Sequence, residues 1–154
     1  MNYKSTRDNK KIYTSEEVLN YGLAPDGGLF VPESLPSFTN DQLKSLKGSS
    51  YLDIAKFIMN PFLTDLFSDE EIEEIIKDAY KNFDDEIISI SKIGDNYLLN
   101  LFHGPTLAFK DYAMSLLAKI YEYYLDKNKK ELVIIGATSG DTGSAAIHAF
   151  KGIK

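Results

Sequence analysis

The sequence contains no cysteine, which excludes disulfides, thiolate metal sites and redox chemistry carried by the chain itself. Histidine is nearly absent too. His103 and His148 stand far apart without a ligand spacing, so a zinc site is not expected. Positive charge is short: 17 basic side chains face 23 acidic ones, for a net charge of −6. No basic stripe runs along any segment; Lys127, Lys129 and Lys130 form a short cluster near a predicted helix end, where cations are favoured. A nucleic-acid partner is therefore not expected. No stretch approaches the ~18 apolar residues of a membrane span, and the N-terminal residues lack an apolar signal region. These absences together predict a soluble, cytoplasmic protein with no membrane partner.

What is present suits a folded core. An apolar share of 44% over 154 residues is enough for one domain, or one and a half small ones. The first half is punctuated by short elements. Thr14 and Glu17 have capping-box spacing and open a helix to about Tyr21. Pro25-Asp26-Gly27-Gly28 reads as a turn, since proline presets φ and glycine accepts positive φ, and Leu29 to Val31 follows as a short strand. A helix from Asp41 to Leu46 ends before Gly48, and Tyr51 to Asn60 is amphipathic until Pro61 stops or kinks it. Ser68 and Glu71 open a further helix with Ile72, Ile75, Ile76 and Ala79 on its buried side. Its acids (Asp69, Glu70, Glu71, Glu73 and Glu74) read as a solvated face rather than a metal site. Asp84 to Ser91 reads as a strand, Gly94-Asp95-Asn96 as a turn, and Tyr97 to Phe102 as a second strand. The composition changes between Ile87 and about Asn96, which places a domain boundary there.

Two stretches carry chemistry. In Leu101 to Tyr112, the turn His103-Gly104-Pro105 is followed by Thr106 as the expected N-cap of a helix bearing Leu107, Ala108, Phe109, Ala113, Leu116, Leu117 and Ile120. Lys110 then falls in the first turn, where the helix dipole disfavours a cation, and packing between Phe109 and Ala113 would strip water from it. Both effects favour a neutral, nucleophilic amine suited to a carbonyl cofactor. A surface lysine paired with Asp111 remains the alternative at this point. The second stretch begins with Glu131 to Gly136, a continuous apolar run expected as a parallel strand covered on both faces. Ala137 to Gly143 follows as a tight turn into a helix of small residues, the front of a βαβ unit. Thr138, Ser139, Gly140, Asp141 and Thr142 make that turn a candidate anion site. It is not a nucleotide phosphate loop, because Asp141 holds the place where such a loop has lysine. A small carboxylate is the better fit; a capped helix start with Ser139 or Asp141 as cap is the alternative.

L-A-P-D-G-G-L-F-V-P (Leu23 to Pro32), F-H-G-P-T-L-A-F-K-D (Phe102 to Asp111) and A-T-S-G-D-T-G (Ala137 to Gly143), in this order and at these separations, resemble threonine synthase. Ser5-Thr6-Arg7 fits as well, although Asp8 stands where the family usually has glycine. The resemblance implies an α/β protein: an N-terminal α+β domain (1–93), then the start of a tryptophan-synthase-β-like, fold-type-II domain with parallel strands that binds pyridoxal 5′-phosphate (94–154). It implies a lyase of threonine biosynthesis that converts O-phospho-L-homoserine and water to L-threonine and phosphate. Lys110 would be both the catalytic residue and the Schiff-base lysine. Phe109 and Asp141 would complete the cofactor contacts, Asp141 facing the 3′ oxygen, and Thr138, Ser139, Gly140 and Thr142 would hold the substrate carboxylate.

The similarity covers about the first third of a typical member. The family's cofactor-phosphate loop and its group at the pyridine nitrogen belong to later sequence, so the chain reads as a fragment expected to be inactive alone and to self-associate through truncated sheet edges. The rival readings are a non-catalytic interaction module, and a related phospho-lyase acting on another phosphorylated amino acid.

Overall fold

Helix starts in the first half are set by reciprocal side-chain caps, as a computed structural model describing residues 1–153 shows. Thr14 opens α1 (Ser15–Tyr21) with the expected Glu17 box. Thr39 with Gln42 opens α2 (Asn40–Ser45), and Ser50 with Asp53 opens α3 (Tyr51–Leu63). Ser68 and Glu71 exchange the same pair of bonds ahead of α4 (Asp69–Tyr80). Each box satisfies two amides that a helix start otherwise leaves unpaired. Of the stop or kink expected at Pro61, the stop does not occur: the helix runs on to Leu63 and closes with Thr64 N donating to the Asn60 carbonyl at 3.1 Å.

The chain forms two compact units, Met1–Glu73 and a second from Glu74 onward. The first holds a three-stranded antiparallel sheet in the order β2-β1-β3, made by β1 (Asn2–Ser5), β2 (Tyr13–Thr14) and β3 (Phe30–Pro32). Tyr3 pairs with Tyr13 on one side and with Pro32 on the other. Pro32 is tolerated because β3 is an edge strand. Tyr13, Ala24, Leu63, Phe67 and Ile72 are buried here, with the Tyr13 and Phe30 rings edge to face at 4.9 Å. A cleft of about 550 Å³ lies between the Phe38 side and α3, lined by Phe38, Phe57, Asn60 and Pro61 among others.

In the second unit, β4 (Ser89–Ile93) and β5 (Asn96–Asn100) form an antiparallel hairpin around Gly94, whose φ of 60° suits the tight turn. Residues 84–88, expected within the first of these strands, lie outside it. Helices α5 (Lys110–Asn128) and α6 (Asp141–Phe150) pack on each other. Ile75, Ile76 and Ala79 are buried as the spacing on α4 predicts, and Tyr80 is buried with them. On α5 Ile120 is buried as expected, but its buried companions are Asp111, Ser115, Ala118 and Tyr124 rather than Ala113, Leu116 and Leu117. Polar and small residues occupy that side, so apolar periodicity points elsewhere.

The two sheets make the architecture a mixed α/β one, and among the described residues there is no parallel sheet. Glu131 to Gly136, expected as a parallel strand, is not a strand here. Strand geometry needs a ladder partner, and no other segment pairs with this one. Val133 and Ile135 are consequently 82% and 92% exposed.

Candidate functional site

Lys110 is the first residue of α5, which begins three residues later than a helix capped by Thr106 would. Phe109 takes the N-cap position without a side-chain cap, so the expectation for Thr106 is corrected. Thr106 is occupied differently. Its amide donates to Asp111 Oδ2 at 2.8 Å and its hydroxyl to Asp111 Oδ1 at 2.7 Å. The segment between them is a tight coil in which Leu107 N donates to the Gly104 carbonyl and Asp111 N to the Ala108 carbonyl, each at 3.0 Å. Leu107 adopts φ 61°, a conformation that costs an L-residue about 1–2 kcal/mol. Gly104 is buried, and a Cβ on it would stand 2.5 Å from both Cβ and Oδ2 of Asp111.

The Lys110 ammonium lies 4.7 Å from the centroid of the Phe109 ring, a cation–π distance. Among the described residues no carboxylate is within ion-pair range of it, and Asp111, the alternative partner, is committed to Thr106. Phe109 itself is 56% exposed and Ala113 is exposed, so this pair does not enclose the amine as the sequence suggested. Leu107 and Phe109 are instead both exposed on the coil ahead of it. His103 supports the same turn: Nε2 is 2.8 Å from Ser89 Oγ, Nδ1 is 3.4 Å from Asp84 Oδ2, and its carbonyl accepts the Asp84 amide at 3.0 Å.

The second stretch opens α6. Thr138 Oγ1 accepts the amides of Gly140 and Gly143, each at 3.0 Å, so the threonine hydroxyl ties the turn to the helix. Gly143 must be glycine for this, since a Cβ there would lie 2.8 Å from that oxygen. Gly140 takes the N-cap position at φ 145°, and neither Ser139 nor Asp141 caps the helix with its side chain. Ser139, Gly140 and Asp141 are exposed and Thr142 half-buried, at the positive end of α6. No hydrogen bond joins Lys110 to this turn among the described residues. No group of three or more His, Asp or Glu side chains is placed to hold a metal there either.

Sequence reasoning missed Asp111. The cue was the five-residue interval from Thr106, longer than the three-residue interval of a capping box and so without a named pattern.

The arrangement presents an amine without an acidic partner among the described residues, next to the exposed Phe109 ring, on a backbone fixed by a buried carboxylate. Comparison with known proteins agrees on the family. The family model for the threonine synthase N terminus matches residues 2–80. Threonine synthase of Pseudomonas aeruginosa is 44% identical over 149 residues, covering 96% of this chain and 32% of the relative. That of Saccharomyces cerevisiae is 37% identical, covering 99% and 33%. Among solved structures, pyridoxal-phosphate-bound threonine synthase from Brucella melitensis superposes with a TM-score of 0.94 at 41% identity, over 100% of this chain and 34% of that one. The Escherichia coli enzyme gives 0.87 at 30% identity. The chain thus spans about a third of the length of the relatives it matches. With residues 2–80 matched by the family model and its likeness extending end to end, the chain belongs to the threonine synthase family, corresponding to the N-terminal region.

Proposed function

We propose that this chain is the N-terminal part of a pyridoxal-phosphate enzyme that converts O-phospho-L-homoserine and water to L-threonine and phosphate. The observation that carries the reading is Lys110 Nζ, free of a carboxylate partner among the described residues and held at the start of α5. Residues 94–154 would open the cofactor domain. When bound, the cofactor supplies an aldehyde that condenses with amines and a ring that takes up charge from the substrate carbons.

The chain's own residues divide the remaining work. Lys110 Nζ would hold the cofactor and, when not bonded to it, take and return protons at the substrate carbons. Phe109 lines the cofactor side of that amine. Thr138, Ser139, Gly140 and Thr142 hold the substrate carboxylate at the α6 amino end, where backbone dipoles favour an anion. Asp141 would contact the cofactor beside its 3′ oxygen. Over the whole reaction the Cγ–O bond to phosphate and one Cβ–H bond break, Cγ and the departing phosphate each take a proton, and a water hydroxyl bonds to Cβ.

Because the chain is a third of its relatives' length, the 154 residues alone are expected to turn over negligibly. Borohydride trapping with pyridoxal phosphate on the complete protein, followed by mass mapping, tests the reading. Modification at Lys110, with phosphate release abolished in Lys110→Ala, supports it; modification elsewhere, or none, sinks it.

A further inference from the structure

Asp111 is a charged side chain with 1% exposure, adjacent in sequence to the reactive lysine, and none of the roles above uses it. Both its oxygens are spent on Thr106, one on the amide and one on the hydroxyl. A carboxylate is buried without a cationic partner only where hydrogen bonds replace its water, and here a single residue supplies both that are seen. The coil so closed contains Leu107 at φ 61°, a conformation the loop would relax if released. It also delivers Phe109, whose ring carries the Lys110 amine. Gly104 completes the device, since its missing side chain is the space that Asp111 fills.

We infer that Asp111, clasped by Thr106 and seated on Gly104, is the positioning residue for Lys110. The clasp holds the Gly104–Phe109 coil in its strained form, so that the amine rests over Phe109 instead of ranging through solvent. The inference rests on the functional reading above for its consequence in catalysis, but the clasp itself is a property of this chain's own side chains.

Three substitutions in the complete protein attack the clasp in different ways. Thr106→Val removes one donor, Asp111→Asn turns an acceptor toward a donor, and Gly104→Ala displaces the carboxylate without altering any polar group. Thr106→Ser keeps both donors and is the rescue control. Two readouts are taken for Lys110 by mass mapping. One is labelling by formaldehyde and borohydride relative to exposed Lys129; the other is trapping by pyridoxal phosphate. The three disruptive variants should raise formaldehyde labelling of Lys110 severalfold and lower its trapping by the cofactor. They should also lower kcat by about tenfold or more with KM changed much less, as a misplaced group does. Thr106→Ser should behave as the parent. General loosening of the fold would raise both kinds of labelling together, and that outcome overturns the inference, as does unchanged formaldehyde labelling in Thr106→Val and Asp111→Asn. If the parent protein is never trapped at Lys110, the functional reading fails separately, and formaldehyde labelling still decides the clasp.

Discussion

Ser5 Oγ donates to Asp26 Oδ1 at 2.7 Å, joining two motifs that lie 21 residues apart. The same carboxylate oxygen accepts the Gly28 amide at 2.8 Å, while Ser5 Oγ accepts the Arg7 amide at 3.1 Å. Thr6 and Leu29 bond to each other alongside, and Arg7 Nη1 reaches the Asp26 carbonyl at 3.3 Å. Ser-Thr-Arg and Pro-Asp-Gly-Gly are therefore one structural object split in the sequence.

Gly28 is the tightest point of that object, because a Cβ on it would stand 2.1 Å from Ser5 Oγ. Gly28→Ala should destabilise the protein by about 1–3 kcal/mol, the usual cost of overpacking. Ser5→Ala removes the oxygen in the way, so the double variant should lose less than the sum of the two single losses. Urea unfolding of the four proteins checks this; strict additivity would show that the clash is not where the cost arises.

Asp26 also gives a pH dependence with a definite sign. The Ser5 hydroxyl, and after it the Gly28 amide, hold its carboxyl below the ordinary 3.8. A depressed carboxylate contributes stability that is fully present above the unfolded value and fades as pH falls through the folded one. Acid unfolding followed by circular dichroism should therefore show a contribution lost below 3.8, and Asp26→Asn should be flatter in that window. Parallel curves for the two proteins would contradict the assignment.

Lys56 makes ion pairs with Asp69 at 2.8 Å and Glu73 at 2.9 Å, and the Asp69 hydrogen bond, followed by that of Glu73, holds its amine above the ordinary 10.5. The sign is opposite: this stabilisation is complete below 10.5 and is lost as pH rises through the elevated folded value. The three groups are partly solvated, so salt should weaken the cluster. Lys56→Gln should lower the urea midpoint at low ionic strength and lose most of its effect in concentrated salt. A salt-independent difference would assign the effect to packing of the lysine stem instead.

Val133 and Ile135 leave an extended apolar run without a ladder, a form that recruits other chains. The 154-residue chain should associate with rising concentration, and Ile135→Lys should reduce that association in light scattering. An unchanged mass distribution would place the sticky surface elsewhere.

Legibility in the sequence followed how local the physics was. The Thr14–Glu17 and Ser68–Glu71 boxes and the Ile72, Ile75, Ile76 and Ala79 stripe were readable because cap and period each involve neighbours within a few residues. The pairing of Tyr3 with Tyr13 and Pro32 was not, since Asn2–Ser5 is polar and short and becomes a strand through its partners. Glu131 to Gly136 erred in the other direction: its composition suits a strand, but composition cannot supply the neighbour. At the site, Lys110 stood out by its motif. The reason for its placement lay in Asp111, whose partner Thr106 looked like an ordinary cap.

Pro61 within α3 has one more consequence. It offers no amide proton to the Phe57 carbonyl, so one rung is missing within the last turns of that helix, just ahead of the closing bond between Thr64 and Asn60. In a deuterium-exchange experiment the end of α3 should therefore open and exchange ahead of its middle, as a small fraying event confined to one turn. The floor of the cleft beside Phe57 would breathe with it, while α4 stays shut.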